Sequence, residues 1–72
     1  MENTFKWPMR SARANVKLTQ QELAKKLHVT KQTIVNWESG ITSPTVEQAI
    51  AYCEACNVPF DQVSFLRERN AI

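Results

Sequence analysis

The chain has 72 residues, 43% of them apolar, and a formal net charge of +2. A single glycine, three prolines and the lack of any apolar run of 18 residues argue against low-complexity sequence, a membrane span and an export signal. A chain of this length forms one domain with a modest core, worth about 3–5 kcal/mol of stability. We therefore expect a cytoplasmic protein with one domain over residues 1–72, its core within 9–65.

The charges are distributed unevenly along the chain. Residues 1–40 contain seven basic and three acidic residues, whereas residues 41–72 contain two basic and four acidic residues. Such an asymmetry suits a domain whose amino-terminal part faces a polyanion, although it also arises by chance in small proteins.

The first predicted helix opens at Trp7-Pro8, because the missing N–H of a proline costs nothing in the first turn. Its inward face follows the helical spacing i, i+3, i+4 and i+7 and comprises Met9, Ala12, Arg13 and Val16. Arg13 is thus a charge on an apolar stripe.

The second predicted helix has the clearest start. Thr19 and Glu22 form a capping box, in which the threonine hydroxyl accepts from the Glu22 N–H and the glutamate reaches back. Its expected buried face is Leu23, Ala24 and Leu27, with Lys25 and Lys26 pointing outward.

The third predicted helix follows after only three residues, 28–30. Thr30 caps this helix. Gly40 is expected to end it, because glycine adopts the left-handed conformation at a helix end without steric strain. The inward positions are Ile34, Trp37, Glu38 and Ile41, and the outward positions are Lys31, Gln32, Val35, Asn36 and Ser39.

Two inward charges, Arg13 and Glu38, need partners, because an unpaired buried charge costs several kcal/mol. We predict that they form an ion pair that joins the first helix to the end of the third and sets the angle of the third helix.

A second capping box, Thr45 to Gln48, predicts a fourth helix, and Asn57 suits the left-handed residue that stops it. The predicted buried positions of this helix are Val46, Ala49, Ile50, Cys53 and Cys56. Pro59 should start a short fifth helix through Val63, Phe65 or Leu66, and residues 67–72 are expected to fray. With no strand-period segment, the expected fold is all-α, a compact bundle of five helices.

Cys53 and Cys56 have the C-x-x-C spacing of redox and zinc sites. Both lie on the apolar stripe of the fourth helix, and His28 is the only histidine available to complete a four-ligand site. We therefore predict buried, reduced thiols, and neither a metal nor a cofactor.

Two short capped helices joined by three residues must cross steeply, so the outward face of the third helix projects from the globule. An α-helix fits the major groove of B-form DNA, about 12 Å wide. Residues able to reach base edges lie on this face: Lys31, Gln32, Thr33, Val35 and Asn36. The amides of Gln32 and Asn36 could each bind one adenine edge. The alternative is that they only keep a solvated face soluble.

Residues 18–24, 29–34 and 37–40, together with Pro44 and residues 57–61, resemble the phage repressor and Cro helix-turn-helix family, the XRE type, over roughly 9–65. The resemblance implies a lambda-repressor-like fold and sequence-specific binding of double-stranded DNA by a transcriptional repressor or regulator. Gln20 would hold a phosphate beside the amino terminus of the second helix. The full set of expected phosphate contacts is Thr19, Gln20, Lys25, Ser39, Thr42 and Ser43.

The chain departs from that family at His28 and near Lys17, where glycine is common. A non-glycine residue in a left-handed conformation costs on the order of 1 kcal/mol. The loop at 41–43 also lacks the basic residues of many relatives, which predicts weaker backbone contacts and a shallower salt dependence.

Regulators of this type usually dimerise on palindromic sites. A homodimer of this chain would use Phe60, Val63, Phe65 and Leu66, with Ile72, unless these residues complete the core of the monomer. The main rival function is an antitoxin-like or anti-repressor protein-interaction module, which acidic residues on the outward face of the third helix would favour; none lies between Lys31 and Asn36. We expect no enzyme, because the sequence has no nucleophile–base pair and no glycine-rich phosphate loop.

Overall fold

A computed structural model describes residues 6–65, and this part of the chain contains four α-helices. The helices are α1 (Met9–Asn15), α2 (Gln20–Leu27), α3 (Lys31–Ser39) and α4 (Val46–Ala55). Two-residue strands β1 (Trp7–Pro8) and β2 (Val63–Ser64) lie at either end, and a 3₁₀ helix (Phe60–Gln62) precedes β2.

Threonine caps begin three of the four helices, as the sequence predicts. Thr19 accepts the Glu22 N–H at 3.0 Å, and the Glu22 carboxylate accepts the Thr19 N–H at 2.9 Å. In the second capping box, the Thr45 hydroxyl accepts the Gln48 N–H at 3.1 Å, and the Gln48 side-chain oxygen accepts the Thr45 N–H at 2.8 Å. Thr30 caps α3 through its hydroxyl. These local bonds satisfy N–H groups that the first turn of a helix leaves without acceptors.

Left-handed residues turn the chain between the helices. His28 ends α2 with φ 59°, and Gly40 ends α3 with φ 81°. Lys17 and Asn57 are also left-handed, with φ 63° and 58°. The expected strain at His28 and Lys17 is therefore present, because both carry a Cβ in a region that favours glycine.

The core lies where α2, α3 and α4 meet and is closed by α1 and β2. Leu23, Ile34 and Tyr52 are fully buried. The other buried members of the cluster are Met9, Ala12, Ala24, Trp37, Cys53, Cys56 and Val63.

A fifth α-helix is not confirmed in the described residues. After Pro59 the chain forms one 3₁₀ turn, and Val63 is then extended, with φ −118° and ψ 135°. Strand β2 pairs in parallel with β1, Trp7 opposite Val63 and Pro8 opposite Ser64. The expectation that the chain has no strand is therefore wrong. A strand of two residues is too short to show an alternating pattern in the sequence, so only its pairing reveals it.

The start of the first helix also differs from the prediction. Pro8 is extended, with φ −61° and ψ 151°, and α1 begins at Met9. Trp7 and Pro8 form β1 instead, because the strand at the other end of the domain offers them backbone partners.

Three predicted core positions are exposed. Val46, Ile50 and Ile41 are 68%, 41% and 56% exposed. Helix α4 is rotated so that Tyr52, not Ile50, enters the core. Gly40 turns the chain out of α3, so Ile41 no longer follows the helical stripe.

Val63 is only 3% exposed, so the structure contradicts its predicted place in a dimer surface. It belongs to the core of the monomer because β2 lies against α1 and β1. Leu66 and the predicted frayed tail 67–72 lie outside the described residues.

Candidate nucleic-acid interface

The outer face of α3 carries the predicted base-contacting side chains, and none of them enters the core. Lys31 and Gln32 are exposed, while Thr33, Val35 and Asn36 are half-buried. The Gln32 amide nitrogen donates to the Asn36 side-chain oxygen at 2.9 Å. This bond holds the two amides together and leaves the Gln32 oxygen and the Asn36 amino group as one acceptor and one donor. Those are the two groups that an adenine edge requires in the major groove.

The hydroxyl of Thr33 has a local partner. It lies 2.9 Å from the hydroxyl of Thr30, the cap of α3. Thr33 is thus held at the first turn of α3.

The predicted phosphate-contacting residues lie at the start of α2, in its last turn and around the end of α3. Thr19, Lys25, Ser39, Thr42 and Ser43 are exposed, and Gln20 is half-buried. The Thr19 oxygen accepts the Glu22 N–H, which leaves its hydroxyl hydrogen for another acceptor.

The ion pair predicted from the two inward charges is present. Arg13 Nε lies 2.7 Å from Glu38 Oε2, and Arg13 Nη2 lies 3.0 Å from Glu38 Oε1. This two-point geometry is the stronger form of an arginine–carboxylate contact. The side chains are 12% and 4% exposed, so the pair is largely removed from water. It ties α1 to the last turn of α3.

Two further residues, which the sequence analysis did not place here, complete the coordination of Glu38. The Tyr52 hydroxyl donates to Glu38 Oε2 at 2.7 Å, and the Gln20 amide donates to Glu38 Oε1 at 3.0 Å. The Tyr52 hydroxyl also lies 2.8 Å from the carbonyl oxygen of Met9, so one hydrogen serves acceptors in α1 and α3. In the sequence, the one sign of such a partner for Glu38 was Tyr52, a residue with a hydroxyl among the apolar residues of α4.

The electrostatics of this cluster follow from burial and donor number. Burial by itself would raise the pKa of Glu38, but the hydrogen bonds from Arg13, Tyr52 and Gln20 outweigh it and leave that pKa lowered. The hydrogen bond to Glu38 raises the pKa of Arg13. Burial, followed by the adjacent Glu38 carboxylate, raises the pKa of Tyr52, which keeps its hydroxyl protonated as a donor.

The cluster also orients Gln20. Because a carboxylate can only accept, the amino group of Gln20 must be the part that faces Glu38. One of its two hydrogens is used there, and the second remains available. Gln20 is the first residue of α2, where backbone N–H groups and the helix dipole favour an anion.

The charge asymmetry persists in the described part of the chain. Residues 6–40 contain seven basic and two acidic residues, whereas residues 41–65 contain three acidic residues and no basic one. The exposed cations in and just before these two helices are Lys17, Lys25, Lys26 and Lys31. This part of the surface therefore attracts polyanions.

The C-x-x-C pair is buried and unbridged. Burial raises the pKa of the Cys53 thiol, and burial with the neighbouring Cys53 raises the pKa of Cys56 to about 11. Thiols in this state are poor nucleophiles and poor metal ligands. Within residues 6–65 no group of three or more His, Cys, Asp or Glu residues could hold a metal ion. None of the helices in that range is long and apolar enough to cross a membrane.

Two short capped helices, α2 and α3, packed together over a bundle with the outer face of α3 exposed, define a helix-turn-helix domain. The chain belongs to the helix-turn-helix family of the XRE, Cro and C1 type, whose family model matches residues 9–63. This confirms the resemblance seen in the sequence. The family indicates a DNA-binding domain of the transcription-regulator class, which is not typically enzymatic. No curated protein matches the chain.

Proposed function

We propose that this protein binds specific sites in double-stranded DNA by placing α3 in the major groove, and that it acts as a transcriptional repressor or regulator. The observation that carries the proposal is the bonded amide pair of Gln32 and Asn36 on the outer face of α3. Three neighbouring residues of α3 would add contacts to this pair. Lys31 would contact a guanine edge, Thr33 a nearby phosphate or base, and Val35 a thymine methyl.

The phosphate contacts would be made on either side of α3. Gln20 supports this part of the proposal most directly, because its bond to Glu38 leaves one amide hydrogen for a phosphate oxygen. Thr19 has a hydroxyl hydrogen to donate, and Lys25 adds a positive charge. Ser39 is the last residue of α3, Thr42 and Ser43 follow it in the loop, and these three would meet the other side of the groove.

We also propose a homodimer on a palindromic operator. Phe60 is 46% exposed and stacks on Phe65, with their ring centroids 5.6 Å apart. An exposed aromatic that stacks on a neighbouring ring is well suited to the centre of a protein contact. Leu66, the other predicted member of this surface, lies outside the described residues.

Selection of bound duplexes from a random pool, followed by fluorescence anisotropy on the selected site, tests DNA recognition. Gln32→Ala and Asn36→Ala should each weaken binding roughly 5- to 150-fold and relax the preference for particular bases, since a good side-chain-to-base contact is worth about 1–3 kcal/mol. Gln62→Ala, an exposed glutamine in the 3₁₀ helix, is the matched control; on a duplex with a single half-site, where the adjacent dimer surface has no role, it should bind like the wild type.

The proposal fails if the wild-type protein selects no site above non-specific DNA. It also fails if both α3 variants keep the wild-type affinity and the same selected sequence. The first result would favour the protein-interaction alternative, a module with this fold that does not read DNA.

A further inference from the structure

Helix α4 carries more apolar residues than its buried face uses. Seven of its ten residues are apolar, but only Ala49, Tyr52 and Cys53 are buried. Val46 and Ile50 are 68% and 41% exposed. They lie four residues apart, so their side chains are neighbours on the solvent side of the helix. Apolar residues on two sides are typical of a helix that packs on both.

Two exposed carboxylates share this side of the helix. Glu47 precedes Ile50 by three residues and Glu54 follows it by four, so all three lie on one face. Neither carboxylate forms an ion pair with a described residue. Glu47 suits the helix dipole, but Glu54 is in the last turn, where a negative charge is unfavourable and α4 has no basic residue. Helix stability therefore does not account for Glu54.

From residue 41 to the end of the described part, the chain offers no compensating cation. Residues 41–65 contain no lysine or arginine and a third acidic residue, Asp61. A second α4 packed here would bring like charges together, and DNA or an anionic membrane would be repelled. Charge complementarity therefore requires a partner that is both apolar and basic.

We propose that the α4 face, defined as Val46, Glu47, Ile50 and Glu54, docks a basic amphipathic helix of a partner protein. Apolar side chains of the partner would cover Val46 and Ile50, while its lysine or arginine side chains would flank them and pair with the two glutamates. The face is small, which fits a transient contact. It shares no residue with the outer face of α3, so the same domain could hold DNA and a protein at once.

Nuclear magnetic resonance of the ¹⁵N-labelled protein without DNA tests this proposal. The probe is a synthetic amphipathic helical peptide of leucine and lysine, and the control probe has glutamate in place of lysine in the same pattern. The lysine peptide should produce saturable shifts that concentrate at residues 46–54, and the glutamate peptide should produce none.

Matched variants sharpen the test. Ile50→Ser should raise the Kd for the lysine peptide at least about fivefold, because it removes an apolar contact. Joint Glu47→Gln and Glu54→Gln changes should raise it about threefold and flatten its salt dependence. Ile41→Ser, which alters a more exposed isoleucine outside α4, should leave the Kd unchanged. All four positions are exposed, so the core is untouched.

Several results would overturn the proposal. One is an absence of saturable shifts, and another is a set of shifts centred outside residues 46–54. A third is an unchanged Kd in Ile50→Ser. Shifts at the α4 face that appear on raising the protein concentration alone, and that Ile50→Ser abolishes, would assign the face to a second copy instead. Because DNA is not present, the outcome does not depend on the proposed DNA recognition.

Discussion

Glu38 holds four hydrogen bonds on one carboxylate, two from Arg13 and one each from Gln20 and Tyr52. The pairing with Arg13 was predictable, because both charges fall on apolar helical stripes and each needs a partner. The roles of Gln20 and Tyr52 were not predictable, because an exposed helix start and an aromatic ring each have ordinary explanations of their own. At this scale the cluster links α1, α2, α3 and α4 through one side chain.

The lowered pKa of Glu38 predicts a loss of stability in acid. A folded-state pKa below the ordinary value of 4.5 means that the contribution is fully present above pH 4.5 and disappears as the pH falls through the folded-state value. A ¹³C nuclear magnetic resonance titration of the Glu38 carboxyl carbon measures its pKa. Urea unfolding at several pH values measures the loss of stability.

The variant Tyr52→Phe tests the cause of the lowered pKa of Glu38, because it removes one hydrogen-bond donor and keeps the ring in the core. The pKa of Glu38 should rise in this variant, so that acid destabilisation begins at a higher pH. A Glu38 that titrates above 4.5 in the wild type, or a titration that Tyr52→Phe leaves unchanged, would contradict the role assigned to the cluster.

At the scale of elements, the helix boundaries depend on caps and left-handed ends. Thr19 and Thr30 begin α2 and α3, and His28 forms the bend that places one helix against the other. These boundaries could be predicted from the sequence because each depends on residues within one turn. The orientation of α4 could not, because Ile50 and Tyr52 both satisfy a helical stripe and only packing chooses between them.

The left-handed His28 leads to a simple prediction. His28→Gly should raise the free energy of unfolding by up to about 1 kcal/mol, because glycine removes the Cβ strain at φ 59°. The greater freedom of glycine in the unfolded chain offsets part of this gain. Lys25→Gly, at an exposed position inside α2, is the control and should lower the same quantity by about 1 kcal/mol. Urea unfolding measures both; equal losses in the two variants would show that His28 is not strained.

At the scale of the whole molecule, the chain separates its charges and its surfaces. The positive amino-terminal part carries α2 and α3. Helix α4 and the 3₁₀ helix carry three acidic residues and no basic one, together with the exposed Val46, Ile50 and Phe60. Because one small domain makes few contacts with a single half-site, the proposed regulator needs two copies on DNA.

Phe60→Ser tests the dimer. On a palindrome with half-sites one helical turn apart, it should weaken binding about tenfold, the effect expected when an aromatic contact is lost. On a duplex with a single half-site the same variant should bind as the wild type does, which serves as the internal control. Analytical ultracentrifugation with labelled DNA should show two wild-type chains per palindrome. One chain per palindrome, or equal losses on both duplexes, would contradict this arrangement.

The sequence alone determined the features that depend on near neighbours: the threonine caps, the left-handed ends, the paired helices α2 and α3, and the outward position of Gln32. Tertiary structure decided the rest. The rotation of α4 depends on its packing, and the pairing of β1 with β2 and the bond from Tyr52 to Met9 join residues at least 43 positions apart. Local spacing carries no information about such contacts, because they form only when the packed core brings distant segments together.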